Sequence, residues 1–234
     1  NLYDPHSFFD FSALTTVYDS ISGETKLSEL KISPCKDLEF EEKVQPFIDQ
    51  FLKDTPINYL CVDHQLKEGE ELHFENPMRS LDSSFVSVFI SYCKKEQRSD
   101  CILDPVEFST KKIEAVLSYV DSYVDSTDYP DPVKWYSNRY SQSLSPGILK
   151  NVVFSVTKNI YISDNGWLLE NQREIEYLGV SNIKTDIANI DKDLSTHVLS
   201  LHLESPKLRV KTLRNYLKVQ ELFALAGGVA NFFM

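Results

Sequence analysis

Val152-Val153-Phe154-Ser155-Val156-Thr157-Lys158-Asn159-Ile160-Tyr161-Ile162-Ser163, then Asp164-Asn165-Gly166, then Trp167-Leu168-Leu169-Glu170-Asn171-Gln172-Arg173-Glu174-Ile175-Glu176-Tyr177-Leu178, reads as two extended arms around a turn. Asn-Gly accepts the positive φ angles that tight hairpin turns need. The stretch therefore predicts a β-hairpin, and its neighbours follow the same period. Upstream, Val116, Ser118, Val120, Ser122 and Val124 alternate with Leu117, Tyr119, Asp121 and Tyr123, and β-branching favours a strand there. Further upstream, Phe85, Ser87, Phe89 and Ser91 alternate with Val86, Val88, Ile90 and Tyr92, which predicts a strand over Ser84 to Cys93 with one buried face. Downstream, Val198, Ser200 and His202 alternate with Leu199, Leu201 and Leu203.

Helical spacing is rarer. Phe40, Val44, Phe47, Ile48, Phe51 and Leu52 form an apolar stripe, with Pro46 marking a kink or a late start. Asn58–Val62 reads as a short strand. Asp104-Pro105-Val106-Glu107 reads as a helix start, with Asp104 as cap and Glu107 closing a capping box. Ser126–Pro146 reads as a loop, with Pro130, Pro132 and Pro146 and the aromatics Tyr129, Trp135, Tyr136 and Tyr140 anchoring it. The fold class is α+β and β-dominated: an antiparallel sheet or sandwich with two or three short helices and a C-terminal helix that enters the membrane.

Composition excludes some roles. Apolar and aromatic content, with 14 Phe and 12 Tyr, is enough for a core and argues against disorder. A net charge of −11 argues against nucleic-acid binding, which needs clustered cations. The four cysteines, Cys35, Cys61, Cys93 and Cys101, lack the CxxC spacing of zinc or redox motifs. They can form two disulfides in any of three pairings or remain reduced. Cys93 with Cys101 would close a small loop. Asn1–Pro5 has neither the basic start nor the apolar block of a signal peptide. No Asn-x-Ser/Thr sequon occurs.

Chemistry is sparse. His64 and His73 could ligate a metal in principle, but no partner spacing supports it. His197 and His202, five apart on a strand, should face opposite ways. Asp121, Asp125, Asp128 and Asp131 form an acidic stretch without EF-hand spacing, read as a solvated loop. GxSxG, Walker and GxGxxG motifs are missing from the sequence. The expectation is no catalytic residue, no metal, no cofactor and no small-molecule substrate.

The character changes at Lys211, from which Leu213, Tyr216, Leu217 and Phe223 fall at helical spacing. The 13 residues Leu222–Met234 carry no charge. A membrane span needs about 20 apolar residues, so this run predicts the start of one, with Gly227 and Gly228 suited to close helix packing. Lys207, Arg209, Lys211, Arg214 and Lys218 precede it, a cluster suited to lipid headgroups. The chain accordingly divides into an extracellular or lumenal β-rich domain, residues 1–206, and a basic juxtamembrane segment with the start of a transmembrane helix, residues 207–234. The positive-inside rule pulls the other way, toward a cytosolic basic flank.

Three blocks resemble a family of ciliate two-pass transmembrane proteins of mostly unassigned function. They are Ile160–Leu169 with its Ser-Asp-Asn-Gly turn, Arg214–Gly228 with its Tyr-Leu-Lys-Val-Gln-Glu-Leu and Gly-Gly, and the strand ending at Cys93 followed by Cys101. Ala226 departs from the family pattern. The layout is also similar to the lumenal β domain of early-secretory cargo receptors. The resemblance implies a domain between two membrane helices, facing the exterior or a lumen, and no catalytic residues. The expected role is a non-enzymatic, membrane-anchored ectodomain making protein–protein contacts in a cell-surface or ciliary assembly, in the plasma or ciliary membrane. The alternative is the ectodomain of a two-pass ligand-gated channel or cargo receptor. Expected partners are membrane lipid, through the C-terminal helix, and other protein subunits.

Overall fold

The structure is a computed structural model that describes residues 8–19, 21–54, 59–63, 83–93, 99–101, 113–128, 130–145, 147–164, 166, 171–189, 197–206, 209–215, 218 and 223. Eleven strands and one α-helix are assigned among the described residues. They are β1 (Phe9–Asp19), β2 (Glu24–Leu30), β3 (Ile32–Pro34), α1 (Gln45–Asp54), β4 (Leu60–Val62), β5 (Ser83–Tyr92), β6 (Ile113–Val124), β7 (Val133–Leu144), β8 (Ile148–Asp164), β9 (Gln172–Asn189), β10 (His197–Glu204) and β11 (Lys211–Arg214). The fold is β-dominated, as the alternation predicts. The main sheet runs β11-β8-β10-β5-β1-β2, with β9 also pairing β8. It is mixed rather than antiparallel: β10 and β11 both run parallel to β8.

The chain divides into two compact units. Unit 1 holds residues 1–121, 136–156 and 180–207, and unit 2 holds residues 122–135, 157–179 and 208–234.

Unit 1 is built on the apolar face of β1, β5, β10 and the first half of β8. Alternation puts Val88 and Ile90 of β5 opposite Leu201 and Leu199 of β10, and Leu201 opposite Val152 of β8. Buried Phe9, Leu144, Val152, Phe154, Val198, Leu199 and Leu201 form the main core. Ile113, Ala115, Leu117 and Tyr119 of β6, Tyr140 of β7, and Val180 and Ile183 of β9 pack against it. Phe154, 2% exposed, takes the edges of Tyr119 and Tyr140, each with ring centroids at 5.5 Å. Such edge-to-face pairs add about 0.5–1.5 kcal/mol each beyond area burial. A second cluster joins Ala13, Leu30 and Val86, with Ile32 and Val62 against it.

Several sequence expectations change. The stripe from Phe40 becomes helical only at Gln45, because Pro46 fits a first turn, where no amide partner is needed. The helix expected at Asp104 lies outside the described residues. Ser126–Pro146 is not a loop: its centre is the twelve-residue strand β7, paired with β6. Trp135 and Tyr140 are half-buried on that strand and Tyr136 is 37% exposed, while Tyr129 lies outside the described residues. Polar composition hid β7. Its tertiary setting supplies what propensity lacks, since Tyr140 packs on Phe154 and Tyr136 donates a hydrogen bond to Asp121 at 2.8 Å.

In the central hairpin, β8 ends at Asp164 and the described part of β9 starts at Gln172, and residues 165 and 167–170 lie outside the described residues. Asp164 braces it: one carboxylate oxygen accepts the amides of Gly166 at 3.0 Å and Asn171 at 2.9 Å. The second arm runs on to Asn189, past the predicted end at Leu178.

Candidate functional site

The cysteines close two disulfides, Cys35–Cys61 and Cys93–Cys101, and among the described residues no cysteine is free. The first joins the end of β3 to β4. The second closes a loop of eight residues just after β5, where the Cys93 amide also donates to the Phe8 carbonyl at 3.1 Å. Cross-links of this kind persist where thiols are not kept reduced. They suit a domain exposed to an oxidising compartment, outside the cell or in a lumen.

The C-terminal segment is built into the sheet of unit 2. Helical spacing from Lys211 gives way to strand β11, whose residues Lys211 to Arg214 pair with Ile160 to Ser163 of β8. The Ile160 amide donates to the Val210 carbonyl at 2.9 Å. The reason is an available partner: this end of β8 offers backbone groups, and Val210-Lys211-Thr212 tolerates extended geometry. Beyond it, the Lys218 ammonium bonds the Asp164 carboxylate at 3.0 Å, with the two side chains only 16% and 7% exposed. The Asn171 amide, Lys218 and the Gly166 amide together pull the Asp164 carboxyl down to about 2.

The basic cluster therefore splits. Lys218 is held by Asp164, and Arg214 is half-buried. Arg209 and Lys211 are exposed, beside Val210 at 55% and Leu213 at 60%. Phe223 is in helical conformation and exposed. Lys207, Gly227 and Gly228 lie outside the described residues. No described helix is long and apolar enough to cross a membrane.

The sequence misses a second constellation, on unit 1. His197 and His202 do not face opposite ways. A register irregularity between His197 and Leu199 inserts one residue, and both imidazoles then lie against Phe89, with centroids at 5.3 and 6.1 Å. Ser87 Oγ lies 2.8 Å from His202 Nδ1, Ser200 Oγ 2.7 Å from its Nε2, and Ser91 Oγ 2.7 Å from His197 Nδ1. Burial holds His202 below its ordinary value, so the neutral ring is favoured. Ser87 and Ser200 are 2% and 3% exposed, which leaves little room for a substrate at either hydroxyl. A β-bulge has no signature in this sequence, so only the Ser-x-Ser-x-Ser alternation of β5 hinted at this face.

The acidic stretch also comes apart. Asp121 on unit 1 accepts the Tyr136 hydroxyl and the Val180 amide, at 2.8 and 2.9 Å. On unit 2, Asp125 accepts the Thr127 amide and hydroxyl, while Lys134 bonds Asp128 at 2.6 Å and Asp131 at 3.4 Å. A lysine thus supplies the positive charge among these carboxylates. No metal-holding group of His, Cys, Asp and Glu occurs among the described residues. On the strand β8, the hydroxyls of Thr157 and Tyr161 and the Asn159 carbonyl are buried with no hydrogen-bond partner among the described residues. Their i, i+2, i+4 spacing places them in one row.

These features define a β-rich, disulfide-braced domain with a C-terminal segment pinned to its sheet. The chain belongs to the family described as the uncharacterised 80 kDa protein N-terminal domain, whose model matches residues 1–203. No curated protein and no solved structure matches the chain.

Proposed function

We propose that the chain is the water-exposed domain of a membrane-anchored protein, that it makes protein–protein contacts, and that it has no catalytic role. One observation carries the reading. Ahead of the uncharged run Leu222–Met234, described residues are held to the sheet: β11 pairs with β8, and Lys218 is tied to Asp164. An apolar stretch starting from such a clamp suits a membrane helix that carries the domain.

Protein contact is supported by the β1–β2 hairpin. It exposes Ile21 at 92% and Leu27 at 63%, with Val17 and Tyr18 also exposed, and its register puts Tyr18 and Leu27 on one face. Clustered exposed apolar side chains mark interaction surfaces. The two disulfides support an exterior or lumenal side. The resemblance to ciliate two-pass membrane proteins supports a cell-surface or ciliary membrane, with the domain between two membrane helices. The family's description as the N-terminal domain of an 80 kDa protein supports a role within a larger polypeptide.

The clamp also favours a second reading, the ectodomain of a ligand-gated channel or cargo receptor, because a rigid joint would pass domain motion to a membrane helix. A pull-down from native membranes tests the first reading. Partners recovered with the parental chain, and lost with Ile21→Asp plus Leu27→Asp, support it. Recovery as a lone monomer contradicts it.

A further inference from the structure

The membrane reading leaves open how the domain meets the bilayer. Period two on β11 puts Lys211 and Leu213 in one exposed row, while Thr212 and Arg214 turn to the half-buried side. Arg209 extends that exposed row, while Val210, 55% exposed, falls on the side of Thr212 and Arg214. Two cations and one aliphatic side chain thus line one short row, on a chain whose net charge is −11. Neither Arg209 nor Lys211 is the cation that Asp164 holds, since Lys218 fills that place.

We propose that Arg209, Lys211 and Leu213 form a lipid-contact row that seats unit 2 on phospholipid headgroups. This inference rests on the membrane-anchored reading. Arg209 and Lys211 meet the phosphate oxygens of anionic lipids, where juxtamembrane cations are attracted. Leu213 reaches the boundary between headgroup and acyl chain, as interfacial apolar side chains do. Charge and continuity single out lipid over a protein partner. The row is basic where the chain is acidic, and it sits a few residues before the uncharged run. Lys218 and Arg214, which sequence alone groups with it, serve the fold instead.

The test uses the full chain with a tryptophan reporter, Leu213→Trp, and the control Ile187→Trp, whose site on β9 is 66% exposed in unit 1. Each is mixed with phosphatidylcholine vesicles containing phosphatidylserine and lipids brominated high on the acyl chain. Emission is read against the parental signal of Trp135 and Trp167. Stronger quenching of Leu213→Trp than of Ile187→Trp is expected. Arg209→Glu with Lys211→Glu should lower the Leu213→Trp quenching to the control's level while the chain still floats with the vesicles. Flotation with equal quenching of the two reporters overturns the lipid row and leaves the anchored reading standing, assigning the row to a protein partner. Failure to float at all overturns both.

Discussion

The two units are stabilised in different ways. Unit 1 buries Val152, Phe154, Val198 and Leu201 in one apolar layer. Among the described residues of unit 2, the buried apolar or aromatic side chains are Val133, Tyr161 and Ile162, while Tyr123, Leu178, Val210, Leu213 and Phe223 stay exposed. Its ties are polar: Asp164 with Lys218 and two amides, Lys134 with Asp128, and Lys158 with Glu176 at 2.6 Å. Exposed ion pairs of the last kind contribute little. One unit thus rests on packing. The other rests more on a few directional contacts, with Tyr123, Leu178, Val210, Leu213 and Phe223 outward among the described residues.

The contrast can be broken in unit 1 first. Phe154→Ala removes a ring flanked by Tyr119 and Tyr140, and should cost about 3–5 kcal/mol in chemical denaturation. A cost below that of a surface substitution would mean the layer is not the source of stability.

The disulfides sharpen the same side. They close loops of 26 and 8 residues. Loop-closure entropy then gives about 3.5 kcal/mol for Cys35–Cys61 and about 2.5 kcal/mol for Cys93–Cys101. Paired serine substitutions should lower the melting temperature in that order, and the reverse order would show that strain or residual structure outweighs chain entropy.

In unit 2 the decisive change is Asp164→Asn. The folded carboxyl lies at about 2, below its ordinary 3.8. Its contribution is therefore complete above pH 3.8 and is lost as pH falls through about 2. Asp164→Asn should abolish that acid limb and speed hydrogen exchange at the Gly166 and Asn171 amides. Unchanged exchange at both would remove Asp164 as the brace.

His202 gives a smaller effect in unit 1. Its folded value is lowered by burial, so protonation favours the unfolded chain. The contribution is complete above about pH 6.5 and falls away as pH drops through the depressed folded value. Acid titration of the denaturation midpoint should show this slope in the parental chain and lack it in His202→Gln. The smallest effect belongs to Leu213→Ser, expected within about 0.5 kcal/mol because the side chain is exposed. A larger loss would place Leu213 in an apolar contact within unit 2.

Legibility follows the same divide. β5, β6, β8 and β10 are readable because β-branched and apolar residues alternate with others along much of each strand's sequence. β1 escapes because Leu14-Thr15-Thr16-Val17 blurs the alternation that Phe9, Phe11 and Ala13 begin. β7 escapes because its polar residues resemble a loop until β6 and Phe154 are beside it. β11 escapes because helix-forming residues surround four positions that are extended only through their pairing with β8. The histidine face depends on a single irregularity in β10, and no local pattern encodes it. At the C-terminal segment, composition identified the cluster of cations but not which of them Asp164 would hold.

The claim that a membrane carries this domain is tested most directly by alkaline carbonate extraction of native membranes, with the chain followed in pellet and supernatant. A chain anchored through the run beginning at Leu222 stays in the pellet, and replacing Leu225 and Val229 with Asp releases it. Release of the parental chain into the supernatant would contradict a membrane anchor in the protein that contains this domain.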